Sequence, residues 1–221
     1  MRVFVCLIFS LLGCAGIQAQ GVVRSIFYTD AAQDIYRAQP DGSGGTLVIA
    51  DASSVGDIIV HSQENMVYWI SIPTESGWAI KRATLTGGNI ETVVTGQGRI
   101  LGFGLDLTNG DLYFARPDVN SDLGRQELFV RRDAISGNEV TIISGLERTL
   151  ASFGDIEIDH QADYAYLSGM MGLERVKIDV TDQTGDAVEY LVNASMLSSL
   201  DRELGLMYFN GPTSGLNPSG V

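Results

Sequence analysis

The stretch 106-DLTNGDLYF-114 decides the fold. An aspartate stands seven residues before a tyrosine, and turn-forming residues fill the space between. The same frame returns in 159-DHQADYAYL-167 and 201-DRELGLMYF-209, and with histidine in first place in 61-HSQENMVYW-69. Asp106, Asp159, Asp201 and His61 thus precede Tyr113, Tyr166, Tyr208 and Tyr68 by one constant step. Four equal spacings in 221 residues point to one structural unit copied along the chain.

Alignment on the aromatic pair adds a fifth copy, 26-IFYTD-30, with Phe27 in the place of the tyrosine. The copies recur at intervals of roughly forty to fifty residues, a period that fits a four-stranded propeller blade or a helical pair. Composition chooses between them. In the second unit 57-DIIVH-61 and 66-MVYWI-70 flank the polar turn 62-SQEN-65, and 79-AIKRATL-85 and 90-IETVV-94 flank 86-TGGN-89. Short β-branched and aromatic runs bounded by Gly, Asn, Asp and Ser are antiparallel strands. No window of helical length carries a 3.6-residue apolar period, and 193-NASMLSSLDRELGLM-207 contains the Asp–Tyr frame, so it too reads as strands.

The second hairpin repeats in step. Its first strand carries an apolar residue and then a basic one in 35-IYRA-38, 80-IKRA-83, 128-LFVRR-132 and 173-LERV-176. Turns follow at 41-DGSGG-45, 86-TGGN-89, 136-SGN-138 and 181-TDQTGD-186, and then another β-branched strand. The expected fold class is all-β, a propeller with about five blades present, either as an open piece of a six-bladed ring or as a five-bladed one.

Residues 1–19 read as a secretory signal: a basic start at Arg2, an apolar run from Val3 to Ile17, and Ala19 at the cleavage point. The run is short of the ~20 apolar residues a membrane span needs. Residues 20–221 are the expected propeller domain. Both cysteines, Cys6 and Cys14, lie in the signal, so the mature chain is expected to hold no disulfide and no thiolate. The box 11-LLGC-14 leaves open a bacterial surface lipoprotein anchored through Cys14. With 27 acidic against 14 basic residues, the chain is a poor match for nucleic acid and suits a basic protein partner.

These residues resemble the YWTD, or class B, repeats of the low-density lipoprotein receptor family. Thr-Asp survives in 27-FYTD-30, Tyr-Trp in 68-YW-69, and the Arg strand with its Asp-Gly-Ser turn in 35-IYRAQPDGS-43, while Asp106, Asp159 and Asp201 match the family's aspartate before the turn. The match spans nearly all of Val22 to Gly211 but is degenerate and incomplete: Ser71, Arg116, Gly169 and Gly211 stand where the motif ends in Asp. The resemblance implies a six-bladed propeller whose carboxylates tie strands and blades together. It further implies an extracellular, non-enzymatic, cofactor-free module that binds a protein ligand, either secreted or as part of a receptor ectodomain.

Enzymatic motifs are missing: no HExxH, no GxSxG and no P-loop, and the glycines of 102-GFGLD-106 open no helix. His61 and His160 read as strand-end and turn residues. Among the acids Asp118, Asp122, Glu147, Asp155, Glu157 and Asp182, the pair Asp155 and Glu157 near a strand start would suit a calcium-dependent, lactonase-like hydrolase, which stands as the alternative. No residue is assigned to catalysis or to a metal. The long loop 117-PDVNSDLGRQ-126 offers Asp118 and Asp122 as contacts for a basic ligand. Asn193 in 193-NAS-195 is a glycosylation acceptor if export is eukaryotic.

Overall fold

The computed structural model describes residues 25–50, 52–53, 55–74, 77–100, 102–118, 126–147, 155–169, 172–192, 196–201 and 206–210. Among them there is no α-helix; eighteen strands and one short 3₁₀ turn make up the regular structure. Two compact units divide the chain, the first ending at Gln97 and the second beginning at Gly98.

The first unit holds two antiparallel meanders. In one, β1 (Ile26–Thr29), β2 (Ile35–Ala38) and β3 (Thr46–Ile49) lie in chain order. In the other, β4 (Val55–His61), β5 (Met66–Thr74), β6 (Gly77–Thr84) and β7 (Glu91–Gln97) do the same. Their shared core is built on Phe27, Ile35, Val67, Trp69 and Ala83, each at most 1% exposed. The indole N–H of Trp69 donates to the Ala52 carbonyl at 3.3 Å, so the largest side chain of this core leaves no polar atom stranded.

The second unit repeats the plan. A meander of β8 (Gly102–Leu105), β9 (Leu112–Pro117), β10 (Gln126–Arg132) and β11 (Glu139–Glu147) is followed by β12 (Ile156–Asp159), β13 (Tyr164–Gly169) and β14 (Gly172–Lys177). The chain then makes a detour. β15 (Gln183–Thr184) returns to the preceding sheet and pairs in parallel with β11, Ile143 opposite Gln183 and Ser144 opposite Thr184. A 3₁₀ turn (Gly185–Ala187) leads to β16 (Glu189–Val192), which completes the second sheet beside β14. A final hairpin joins β17 (Met196–Asp201) to β18 (Leu206–Asn210). The sequence treats 181-TDQTGD-186 wholly as turn because its polar residues carry no strand signal. The open edge of β11 supplies the missing incentive, its Thr141 carbonyl accepting the Asp182 N–H at 3.0 Å.

Strand alternation explains the cores. β12, sequence IEID, buries Ile156 and Ile158 and turns Glu157 and Asp159 outward. β8, sequence GFGL, is buried throughout. Its Gly104 lies so close to β12 that an added Cβ would come 2.7 Å from the Ile156 carbonyl oxygen, so only glycine lets these two sheets meet.

Turn chemistry sets the repeat. Three residues before Tyr68, Tyr113 and Tyr166 stand Asn65, Gly110 and Asp163, with φ of 59°, 81° and 57°. Glycine, asparagine and aspartate are the residues that adopt this left-handed conformation at least cost, so each first hairpin closes with the same register.

Candidate functional site

The seven-residue frame becomes a geometric constant. Tyr68, Tyr113, Tyr166 and Tyr208 lie opposite Ile59, Gly104, Glu157 and Ser199, in each case two residues before the His or Asp of the frame. On the far side, Tyr68, Tyr113 and Tyr166 lie opposite Arg82, Arg131 and Arg175, and Phe27 lies opposite Arg37. The same aromatic–arginine pair therefore recurs in four sheets.

The pair is a mixed apolar and ionic device. Tyr68 and Tyr113 are 2% exposed and Tyr166 is 8% exposed. Burial pushes the Tyr113 phenol up to about 12, against the opposing pull of the Arg131 cation. Burial likewise raises Tyr68, with Arg82 opposing it. The hydrogen bond with Tyr68 and the bond to Glu91 raise Arg82 in turn. Arg82 grips the Glu91 carboxylate through Nε at 2.9 Å and Nη2 at 2.8 Å. Arg175 grips Glu189 through the same two nitrogens at 2.8 Å each, and lies 4.4 Å above the Tyr164 ring. In both cases the glutamate is the cross-strand partner of the arginine on the fourth strand. The basic residue of strand three was visible in the sequence; its two partners were not, because they lie on different neighbouring strands.

The frame's acids close turns. Asp106 is 1% exposed. Its Oδ1 accepts the Thr108 N–H at 2.9 Å, and its Oδ2 accepts from His160 Nδ1 at 2.7 Å. His160 opens the turn after β12, so this contact ties one sheet to the next. Asp159 Oδ1 accepts the N–H groups of Gln161 and Ala162 at 3.1 and 3.2 Å. Asp111, not singled out in the sequence, accepts the Ala134 N–H at 2.9 Å and so links the two turns of one sheet. His61 occupies the aspartate position at the end of β4, is buried, and lies 3.9 Å from Glu64. Asp201 ends β17 and pairs with Leu206 across the last hairpin.

The other sequence candidates are dispersed. Asp118 follows β9, is half-buried and is engaged with a partner; Asp122 and Asn193 lie outside the described residues. Asp155 precedes β12, and burial raises its carboxyl above the ordinary range. Glu157 sits opposite Tyr166. Among the described residues no three His, Cys, Asp or Glu side chains gather as a metal-binding group, and no helix is long and apolar enough to cross a membrane. Two buried acids were missed by the sequence. Glu127, 1% exposed, faces Arg99 at 3.7 Å. Glu174, 6% exposed, has its carboxyl raised by burial. Each looks in sequence like an ordinary solvated strand residue. A further feature of the first unit is an open cleft of about 300 Å³ beside Arg37.

Solved structures share this architecture. The chain is similar to one from a nidogen/laminin complex, with 15% identity and a TM-score of 0.62, over 86% of this chain and 77% of that one. It is similar to TolB from Acinetobacter baumannii, with 13% identity and a TM-score of 0.63, over 86% and 47%. A gluconolactonase from Xanthomonas campestris matches with 11% identity and a TM-score of 0.61, over 85% and 65%. The fold is a β-propeller. Each meander described above is a blade, and identities this low establish the fold alone. No family model matches the chain, and no curated protein does.

Proposed function

We propose that the chain is an extracellular, non-enzymatic propeller of the YWTD type that binds a basic protein or peptide. The observation that carries this reading is the Asp106–His160 contact at 2.7 Å. The residue pair best suited to acid–base chemistry serves here as a tie between two blades, which is the role the YWTD resemblance implies for the frame's aspartate. One of the similar propellers comes from a nidogen/laminin complex, an assembly between proteins. The excess of 27 acidic over 14 basic residues supplies the attraction. Opposite charge speeds encounter, and salt screens it over about 8 Å at physiological strength.

The acids that would meet such a partner are held ionised and outward on the turns. Asp41 is kept below the usual carboxylate range by its bonds to Ser43, and Asp133 by its bonds to Ser136. The test is capture of extracellular proteins on the purified domain at low and high salt, beside a panel of lactones assayed with calcium. A basic ligand retained at low salt and released at high salt is the expected result. Calcium-dependent turnover of a lactone would overturn the reading in favour of a hydrolase.

A further inference from the structure

The four arginines of the repeated pair are not equally served. Arg82 has both the Tyr68 hydroxyl and the Glu91 carboxylate. Arg175 has Glu189, and Arg131 has the Tyr113 hydroxyl. Arg37 has neither. Its aromatic neighbour is Phe27, which carries no hydroxyl, and its partner on the following strand, β3, is Thr46, where the equivalent residues of two other blades are Glu91 and Glu189. Its Nε donates to Ser25 Oγ at 2.8 Å, and among the described residues its guanidinium meets no carboxylate.

The cleft opens at this point. Arg37, Ser25, Gln39 and Thr46 form its polar side, and Leu47 and Leu85 its apolar side. Leu47 is 48% exposed, an uncovered aliphatic surface beside the cation. The volume, about 300 Å³, lies at the lower end of small-ligand sites.

We propose that this cleft binds a carboxylate carried on a short branched aliphatic stem, the ligand's carboxylate supplying the acid that Glu91 and Glu189 supply in their own blades and meeting the Nη groups of Arg37, whose Nε is held by Ser25. The guanidinium offers a planar fork matched to a carboxylate, and Ser25 fixes its orientation in advance. The stem packs on Leu47 and Leu85. Such a group is found in a free branched-chain acid or at the C-terminus of a peptide ending in leucine, and the site recognises the shared chemistry. The cleft shares its turn with Asp41, one of the acids assigned above to a basic partner, but it takes an acid through Arg37 rather than a base through a carboxylate, so either assignment can fail without the other.

The test uses the full mature chain and calorimetric titration with two probes: isovalerate, and a short peptide ending in leucine with a free or an amidated C-terminus. Two variants accompany the wild type. Arg37→Gln removes the cation. Thr46→Glu restores the repeat's own acid, which should occupy Arg37 from within and leave folding intact, so it serves even if Arg37→Gln folds poorly. The expected result is binding of at least one free carboxylate to the wild type, weakened about tenfold or more in both variants. Binding of isovalerate alone assigns the free acid; binding of the peptide, abolished by amidation, assigns the C-terminus. No binding of either probe at millimolar concentration, or undiminished binding to Thr46→Glu, overturns the proposal.

Discussion

Removing the Tyr113 hydroxyl tests whether the aromatic–arginine pair works as described. The ring is 2% exposed and stacked on Phe129 with centroids 5.9 Å apart. Its hydroxyl engages the side chain of the half-buried Arg131. Tyr113→Phe keeps the ring and withdraws the hydroxyl from a half-buried cation. That should cost about 1.5–3 kcal/mol, the range for a hydrogen bond to a charged group. Tyr113→Ala also opens a cavity and forfeits the stacked pair, for about 3–5 kcal/mol in all. The phenol adds a pH signature. It titrates near 10 in the unfolded chain and at about 12 in the fold, so the native state holds the proton longer. This contribution is fully present below pH 10 and disappears as pH rises through the folded value. The contribution is on the order of 3 kcal/mol. Urea unfolding of wild type, Tyr113→Phe and Tyr113→Ala at neutral pH and again above pH 10 measures both effects. The deficit of Tyr113→Phe should shrink on the alkaline side, with m unchanged. A phenylalanine variant as stable as wild type at neutral pH, with the same alkaline decline, would refute the reasoning.

Four further outcomes are expected. Asp106→Ala strips an acceptor from Thr108 and His160 at a buried site and should cost about 2–4 kcal/mol, whereas Glu189→Gln at an exposed pair should change urea stability by less than about 1 kcal/mol. Gly104→Val should destabilise by about 1–3 kcal/mol or prevent soluble expression, because its side chain would collide with the Ile156 carbonyl. Burial raises the Glu174 carboxyl, so wild type should lose stability as pH rises from the ordinary carboxylate range through the folded value; Glu174→Gln should remove that decline in a thermal-melt pH series. Expression with the full leader should yield a mature chain starting at Gln20 by N-terminal sequencing; recovery of intact Met1 would overturn the export reading, and a lipidated Cys14 would favour the lipoprotein.

The blade pattern was legible because its determinants are local. A left-handed residue at 65, 110 and 163 fixes each hairpin's register, and period-two alternation then fixes which side chains go inward. Long-range pairing was not legible. Asp106 and His160 are 54 residues apart and meet only because β8 and β12 belong to adjacent sheets. Arg82 finds Glu91 across one strand pair and Tyr68 across another, so no single window of sequence contains the trio. Glu127 and Glu174 read as solvated charges, since strand alternation alone does not say which face of a blade is covered by its neighbour.

The detour through β15 limits how this chain can be edited. A run of similar blades invites duplication, deletion and swapping by cuts placed between repeats. β15 belongs by sequence to the repeat of β12–β16, yet it hydrogen-bonds within the sheet of β8–β11. The crossing is closely fitted: a side chain at Gly185 would come 2.8 Å from the Gly145 carbonyl oxygen. A cut between β11 and β12 would leave one fragment with a bare strand edge and the other with a dangling segment. The smallest exchangeable cassette in this half of the molecule is therefore two blades, from β8 to β16, and a graft or circular permutation that respects single-blade boundaries should aggregate where one that moves the pair stays soluble.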